Sequence, residues 1–159
     1  MTTQIVSANV EPTFLATLAT LDGVQTLQNK NIKSTRETAN YISGYTATGT
    51  LAIPAYTPIT YFTTNATGNF VFNVTGLSTL TELAYAESTT ICVLVTNGAT
   101  AYYMTGLQVD GVAVTPKYQN GPAFTSGNAN SVDSYSITIM KDYSGSYFFR
   151  AFVSQTAFG

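Results

Sequence analysis

From Leu51 onward the apolar residues recur at every second position, and Gly, Asn and Asp interrupt them at short intervals. Successive side chains of a strand point to opposite faces, so this period marks strands with one face turned to a core. In the stretch 68–75, Phe70, Phe72 and Val74 share one face while Asn73 and Thr75 take the other. The stretch 134–140 repeats the device, with Tyr135, Ile137 and Ile139 opposed to Ser136, Thr138 and Met140. Residues 61–64 read as a further short strand. Thr90 to Thr96 is instead a continuous β-branched and apolar run, which predicts a strand buried on both faces. Asn97-Gly98 supplies a turn that tolerates positive φ, and Asp110-Gly111 predicts a tight hairpin between strands at 102–109 and 112–117. Asp142 and Gly145 bracket another turn before a last strand over 146–153. Only 77–86 hints at a helical turn, and it reads equally well as loop. Short strands separated by polar turns predict an all-β fold, an antiparallel β-sandwich of jelly-roll-like form, over residues 51–159.

Residues 1–50 differ in kind and are expected to form an extended N-terminal arm. Lys30, Lys33 and Arg36 balance Glu11, Asp22 and Glu37 in this segment. Phe14, Leu18 and Leu21 fall at i, i+4 and i+7 beside Leu15, with Pro12 at a first helical turn, which predicts a short helix. Thr13, Thr17 and Thr20 weaken it. Residues 23–49 hold too few apolar side chains for a core, so they read as an arm ordered on a neighbour, or as a peripheral strand and loop. The docking contacts expected of such an arm are Ile5, Val6, Phe14, Leu15 and Leu18, whose burial would offset the lost chain entropy.

Composition narrows the chemistry. The 159 residues are 45% hydrophobic and carry a formal charge of only −2, so one folded domain is expected and no basic face exists to bind nucleic acid. Charged residues make up 9%, against the about 25–35% of a typical soluble surface. Thr, Ser, Asn and Tyr must therefore cover the exterior, or copies and partners must. There is no histidine, and Cys92 is the single cysteine, so no intrachain disulfide forms and a catalytic thiol would lack its usual base. Cys92 lies in an apolar run and reads as a small core residue.

The acids are Glu11, Asp22, Glu37, Glu82, Glu87, Asp110, Asp133 and Asp142. A glycosidase needs two carboxylates roughly 5–9.5 Å apart across a groove, and nothing in the spacing predicts such a pair. Asp110 and Asp142 occupy turn positions that Asp favours for its local hydrogen bonds. A calcium site at Asp110 and Asp133 has no EF-hand spacing behind it. The chain is therefore read as having no enzymatic activity, cofactor or metal. Asn65-Ala66-Thr67 and Asn73-Val74-Thr75 match glycosylation acceptors, which matter only in a secretory pathway. No apolar run approaches the roughly 18 residues of a membrane span, and no basic residue precedes Lys30, so neither membrane insertion nor an export leader is expected. Tyr102, Tyr103 and Tyr118 are the candidate contact residues, supported by Tyr135, Tyr143, Tyr147, Phe124, Phe148 and Phe149. Tyrosine suits both subunit interfaces and stacking on a sugar ring, and neighbours on a strand cannot both face the core.

Three stretches taken in order carry a resemblance. They are Val71 to Gly76 leading into Thr90 to Tyr103, then Val109 to Gly111 through Lys117 to Ala123, and Ser126 to Tyr135 with the ending Ala157-Phe158-Gly159. Their combination resembles a module of tail-fibre and other virion proteins of tailed bacteriophages, especially those of cyanobacteria and marine bacteria. Thr26 to Ile32 is similar to repeats of phage fibre shafts. Where the family usually has Trp before a Gly-Gly-Pro-like turn, this chain has Tyr118 and Asn120-Gly121-Pro122. The resemblance implies a structural protein located in the virion, a homotrimer that contacts other virion proteins. A tail fibre or appendage, a capsid decoration protein, and a module that binds host-surface polysaccharide are the readings it leaves open. The chain is expected to be a whole short gene product.

Overall fold

The computed structural model describes residues 36–77, 87–141 and 149–159, and the chain from Glu37 to Gly159 forms one compact unit. Residues 1–35 of the arm expected over 1–50, the helix at 12–21 and the docking residues Ile5, Val6, Phe14, Leu15 and Leu18 lie outside the described residues. So do most of the 77–86 segment, the turn expected between Asp142 and Gly145, and residues 146–148 of the expected last strand.

The described residues are strands and their connections. A six-stranded sheet runs in the order β1 (Asn40–Thr46), β3 (Ile59–Thr64), β5 (Ser88–Thr96), β9 (Val132–Lys141), β10 (Phe149–Phe158) and β8 (Lys117–Tyr118). The second sheet is β2 (Gly49–Pro54), β4 (Phe70–Thr75), β6 (Met104–Val109) and β7 (Val112–Val114). Up to β6 the chain alternates, placing one strand in the first sheet and the next in the second. Each full winding brings it back in its former direction, so β1–β3, β3–β5, β2–β4 and β4–β6 pair parallel, as does β8 with β10. Among the described strands, β5–β9, β9–β10 and β6–β7 pair antiparallel.

The purely antiparallel, jelly-roll-like pairing expected from the sequence is thereby corrected: both sheets are mixed. Hydrophobic period and turn chemistry are the same for both directions, and only the path between strands decides. The sheets also begin at Asn40, upstream of the expected boundary at Leu51, and β1 and β2 are their edge strands.

The inner faces meet in one core. Leu51, Ile53, Phe70, Phe72, Val74, Leu107 and Val109 from the smaller sheet face Phe62, Ile91, Val93, Val95, Tyr135, Ile137 and Ile139 from the larger. The Tyr135 ring stands edge-on to Phe70, Phe72 and Phe124 at centroid separations of 5.8, 5.3 and 5.9 Å, the tilted geometry that aromatic quadrupoles favour.

Three local expectations change. The run in β5 is buried on one face only: Ile91, Val93 and Val95 face inward, while Cys92 and Leu94 are half-buried on the outer face. The second sheet covers one side of β5, and Cys92 lies 3.4 Å from the Ser134 hydroxyl rather than inside the core. The strand expected at 112–117 is split around a buried Pro116, with β7 in one sheet and β8 in the other. Proline lacks the N–H that a continuous ladder would require there. The last strand runs on to Phe158, because β9 offers it partners as far as Val132. The Asp110-Gly111 turn forms as expected, with φ of 47° and 81° at its two residues, the signature of a tight hairpin of mirror-image type.

One buried hydroxyl is unsatisfied. Thr60 lies on the inner face of β3, and its Oγ1 has no hydrogen-bond partner among the described residues. Leaving such a group dry and unpaired costs about 1–3 kcal/mol. Thr60→Val keeps the shape and removes the hydroxyl, so it is expected to raise unfolding stability by about 1 kcal/mol. Urea titration of both chains checks this, and a loss of stability would show that Thr60 has a partner.

Candidate functional site

The windings need corners, and the corners bring the polar residues together. Ala47 follows β1, Ala66 follows β3 and Asn97 follows β5; all three are buried, where only a short side chain fits between the sheets. Backbone bonds stack one corner on the next: Thr67 N–H to Ala47 O (3.2 Å), Ala66 N–H to Thr96 O (2.8 Å) and Phe70 N–H to Tyr103 O (3.2 Å).

The third corner is held from inside. The Asn97 side chain donates to Tyr102 O and accepts from Tyr102 N–H, both at 3.1 Å, and so clamps the loop across its neck. Its Nδ2 also donates to Asp133 Oδ2 at 3.0 Å. Asp133 is fully buried on β9. Its carboxylate further accepts from Asn128 N–H (3.1 Å), Asn128 Nδ2 (2.7 Å) and Gln155 Nε2 (3.0 Å). A buried carboxylate is tolerable only when so satisfied. Gly127 permits this approach: a Cβ there would collide with the Tyr102 carbonyl oxygen and lie 3.0 Å from Asp133 Oδ2.

This donor set bears on the calcium reading of Asp110 and Asp133. Asp133 is ringed by N–H donors, which suit an anion, whereas calcium seeks six to eight oxygens. Asp110 Oδ1 accepts from Gly76 N–H, and Asn73 Oδ1 accepts from Gly111 N–H at 2.9 Å, so the hairpin tip is tied to the end of β4. Among the described residues no group of three or more His, Cys, Asp or Glu gathers to hold an ion.

The three tyrosines singled out from sequence are all half-buried. Tyr102 and Tyr103 precede β6 rather than lying in it, so strand alternation does not separate them. Tyr102 packs against the core, and Tyr103 N–H donates to Asn69 Oδ1 at 3.2 Å. Tyr118 stands edge-on to Phe124 at 5.0 Å, and burial pushes its phenol pKa up. The large side chains open to solvent are others: Tyr41 (68%), Tyr45, Tyr56 (78%), Val112, Phe152 (44%) and Phe158. Phe152 was legible from the period, since Ala151 and Val153 point inward. Tyr41 and Tyr45 were not, because their segment reads as arm. Comparison with protein families, characterised proteins and solved structures finds no significant match.

Burial and then the nearby Asp133 charge push the Tyr135 phenol far above its ordinary value of 10.0, with the Met104 backbone opposing. A raised folded pKa means that stability is complete below pH 10.0 and declines above it, as the unfolded chain ionises first. The decline per group is up to about 1.4 kcal/mol per pH unit. Tyr135→Phe is expected to flatten the alkaline limb of a stability–pH profile, with Tyr118 leaving a smaller residual slope. An unchanged limb would show that Tyr135 ionises freely in the fold. Asp133→Asn, which turns an amide N–H₂ toward existing donors, is expected to cost about 1.5–3 kcal/mol, measurable by the same denaturant titration at neutral pH.

Proposed function

We propose that this chain is a structural protein of a tailed-bacteriophage particle, of tail-fibre or appendage type. Its N-terminal segment docks as an extended arm on other virion proteins, and its β-sandwich is displayed outward, as a homotrimer. The observation that carries the reading is the aromatic edge near the start of the compact unit. Tyr41 and Tyr45 on the edge strand β1, and Tyr56 on the β2–β3 connection, are all exposed.

An edge strand with exposed aromatic side chains is a template for protein contact, which free monomers usually blunt with charge. Here the charge is scarce: β1 (Asn40–Thr46) contains no Lys, Arg, Asp or Glu. Tyr41 leans on Tyr61 of β3 at a centroid distance of 5.6 Å and so presents a supported ring. Tyrosine adds large contact area at small rotamer cost, which favours an interface over a solvated face. The order of sequence motifs supplies the phage assignment.

Light scattering on the purified chain is expected to give a trimer that Tyr41→Ser with Tyr45→Ser weakens. A chain beginning at Glu37 is expected to keep its β-type circular dichroism and lose incorporation into particles. Incorporation without residues 1–36 would remove the anchoring role. Copy number per particle separates the forms: small multiples of three or six mean an appendage, whereas hundreds mean capsid decoration.

A further inference from the structure

On the side of the larger sheet that turns away from the core, β8, β9 and β10 enclose a shallow hollow of about 260 Å³. Phe152 is its apolar wall. The residue alternates with the inward-facing Ala151 and Val153, so its ring projects outward, and 44% of it is open to solvent. Around it the strand register sets polar groups at fixed spacing. Thr138 lies opposite Phe152, Ser136 opposite Ser154, and Lys117 beside Phe152 on the parallel strand β8, with Gln119 just beyond.

These groups differ in what they already do. Thr138 shares a 2.9 Å hydrogen bond with Thr90 and stiffens the floor. The Ser136 and Ser154 hydroxyls, the Gln119 amide and the Lys117 ammonium bind no partner among the described residues. An exposed ring flanked by uncommitted hydroxyl, amide and ammonium groups is a poor core fragment. A ligand that is apolar on one side and rich in hydroxyls at its rim would satisfy it. A pyranose has that form: its axial C–H face lies on an aromatic ring while its equatorial hydroxyls reach sideways to hydrogen-bonding groups. Lys117, which has no carboxylate partner among the described residues, adds a preference for a sugar that carries an acid.

We infer that this hollow is a saccharide subsite, with the sugar ring stacked on Phe152, its hydroxyls held by Ser136, Ser154 and Gln119, and Lys117 favouring a carboxylated residue such as a hexuronate. Tyr118, one of the contact candidates read from the sequence, also lines the hollow, whereas Tyr102 and Tyr103 do not. The site does not depend on the assembly reading, which rests on the opposite edge of the sheet. It involves binding only; no bond in the sugar is broken.

The test uses the full chain, titrated by NMR or calorimetry with hexuronate oligosaccharides and with neutral hexose oligosaccharides of equal length. The uronate series is expected to bind more tightly. Phe152→Ala is expected to weaken both series by about tenfold or more, and Lys117→Gln to remove the preference while leaving neutral binding in place. Ser136→Val with Ser154→Val, which keeps strand propensity, provides a second variant if Phe152→Ala unfolds; it is expected to weaken both series as well. Matching thermal unfolding curves establish that each variant is folded. Absence of binding to either series, or binding that none of the Phe152 and serine variants changes, overturns the site. Equal affinity for uronate and neutral oligomers overturns the role of Lys117. Oligomeric state, read on the same samples, keeps this result separate from the assembly proposal.

Discussion

A chain that winds between two sheets must carry its backbone through the space between them at every corner, and any N–H or C=O left dry there costs as much as a lost hydrogen bond. In this fold the corners meet that demand by stacking. The backbone of one corner bonds the next, from Ala47 through Ala66 to the third corner, so the parallel ladders of the strands continue around the bend. Small side chains make the stacking possible. At the third corner, where the loop is longer, the Asn97 side chain replaces missing backbone partners by bonding both sides of Tyr102.

Asp133 follows from that arrangement. Asn97, Asn128 and Gln155 come from three separate parts of the chain, and their amide donors converge on one carboxylate. The carboxylate thereby joins the last corner to the antiparallel end of the sheet, formed by β5, β9 and β10. The adjacent Tyr135 belongs to both worlds: its ring centres the aromatic core, and its hydroxyl accepts from Gln155 Nε2 at 3.1 Å. Charge and burial act on one phenol, which links core packing to the alkaline limit of stability.

The two faces of the larger sheet serve different ends. The inner face is apolar and interdigitates with the smaller sheet. The outer face carries Ser134, Ser136, Thr138, Ser154 and Thr156 on β9 and β10, with aromatic residues toward its margins. Hydroxyl groups keep such a face wet without charge, which agrees with the low content of ionisable residues. Tyr41 and Tyr45 at one edge, and Phe152 and Phe158 on β10, leave apolar area open on this sheet, and Tyr41 and Phe152 each support a separate proposal.

Period-two alternation was enough to locate β4 and β9, and Asp110-Gly111 was enough to locate the β6–β7 hairpin, because those signals depend on a residue and its immediate neighbours. The same reasoning would have turned Phe152 outward. It could not place β1, whose Tyr41, Ile42 and Tyr45 are set among Asn, Ser, Gly and Thr and whose strand character comes from pairing with β3. It also assigned Cys92 to the core, since a continuous apolar run does not reveal how many of its faces a second layer covers. The convergence on Asp133 had no local sign at all, as its donors lie at positions 97, 128 and 155. Local sequence thus determined that the chain forms strands, which side chains of most strands face inward, and where its tightest turn falls. Tertiary structure alone decided that neighbouring strands run parallel and that distant amides meet one buried acid, because strand direction and long-range contact depend on the path of the whole chain.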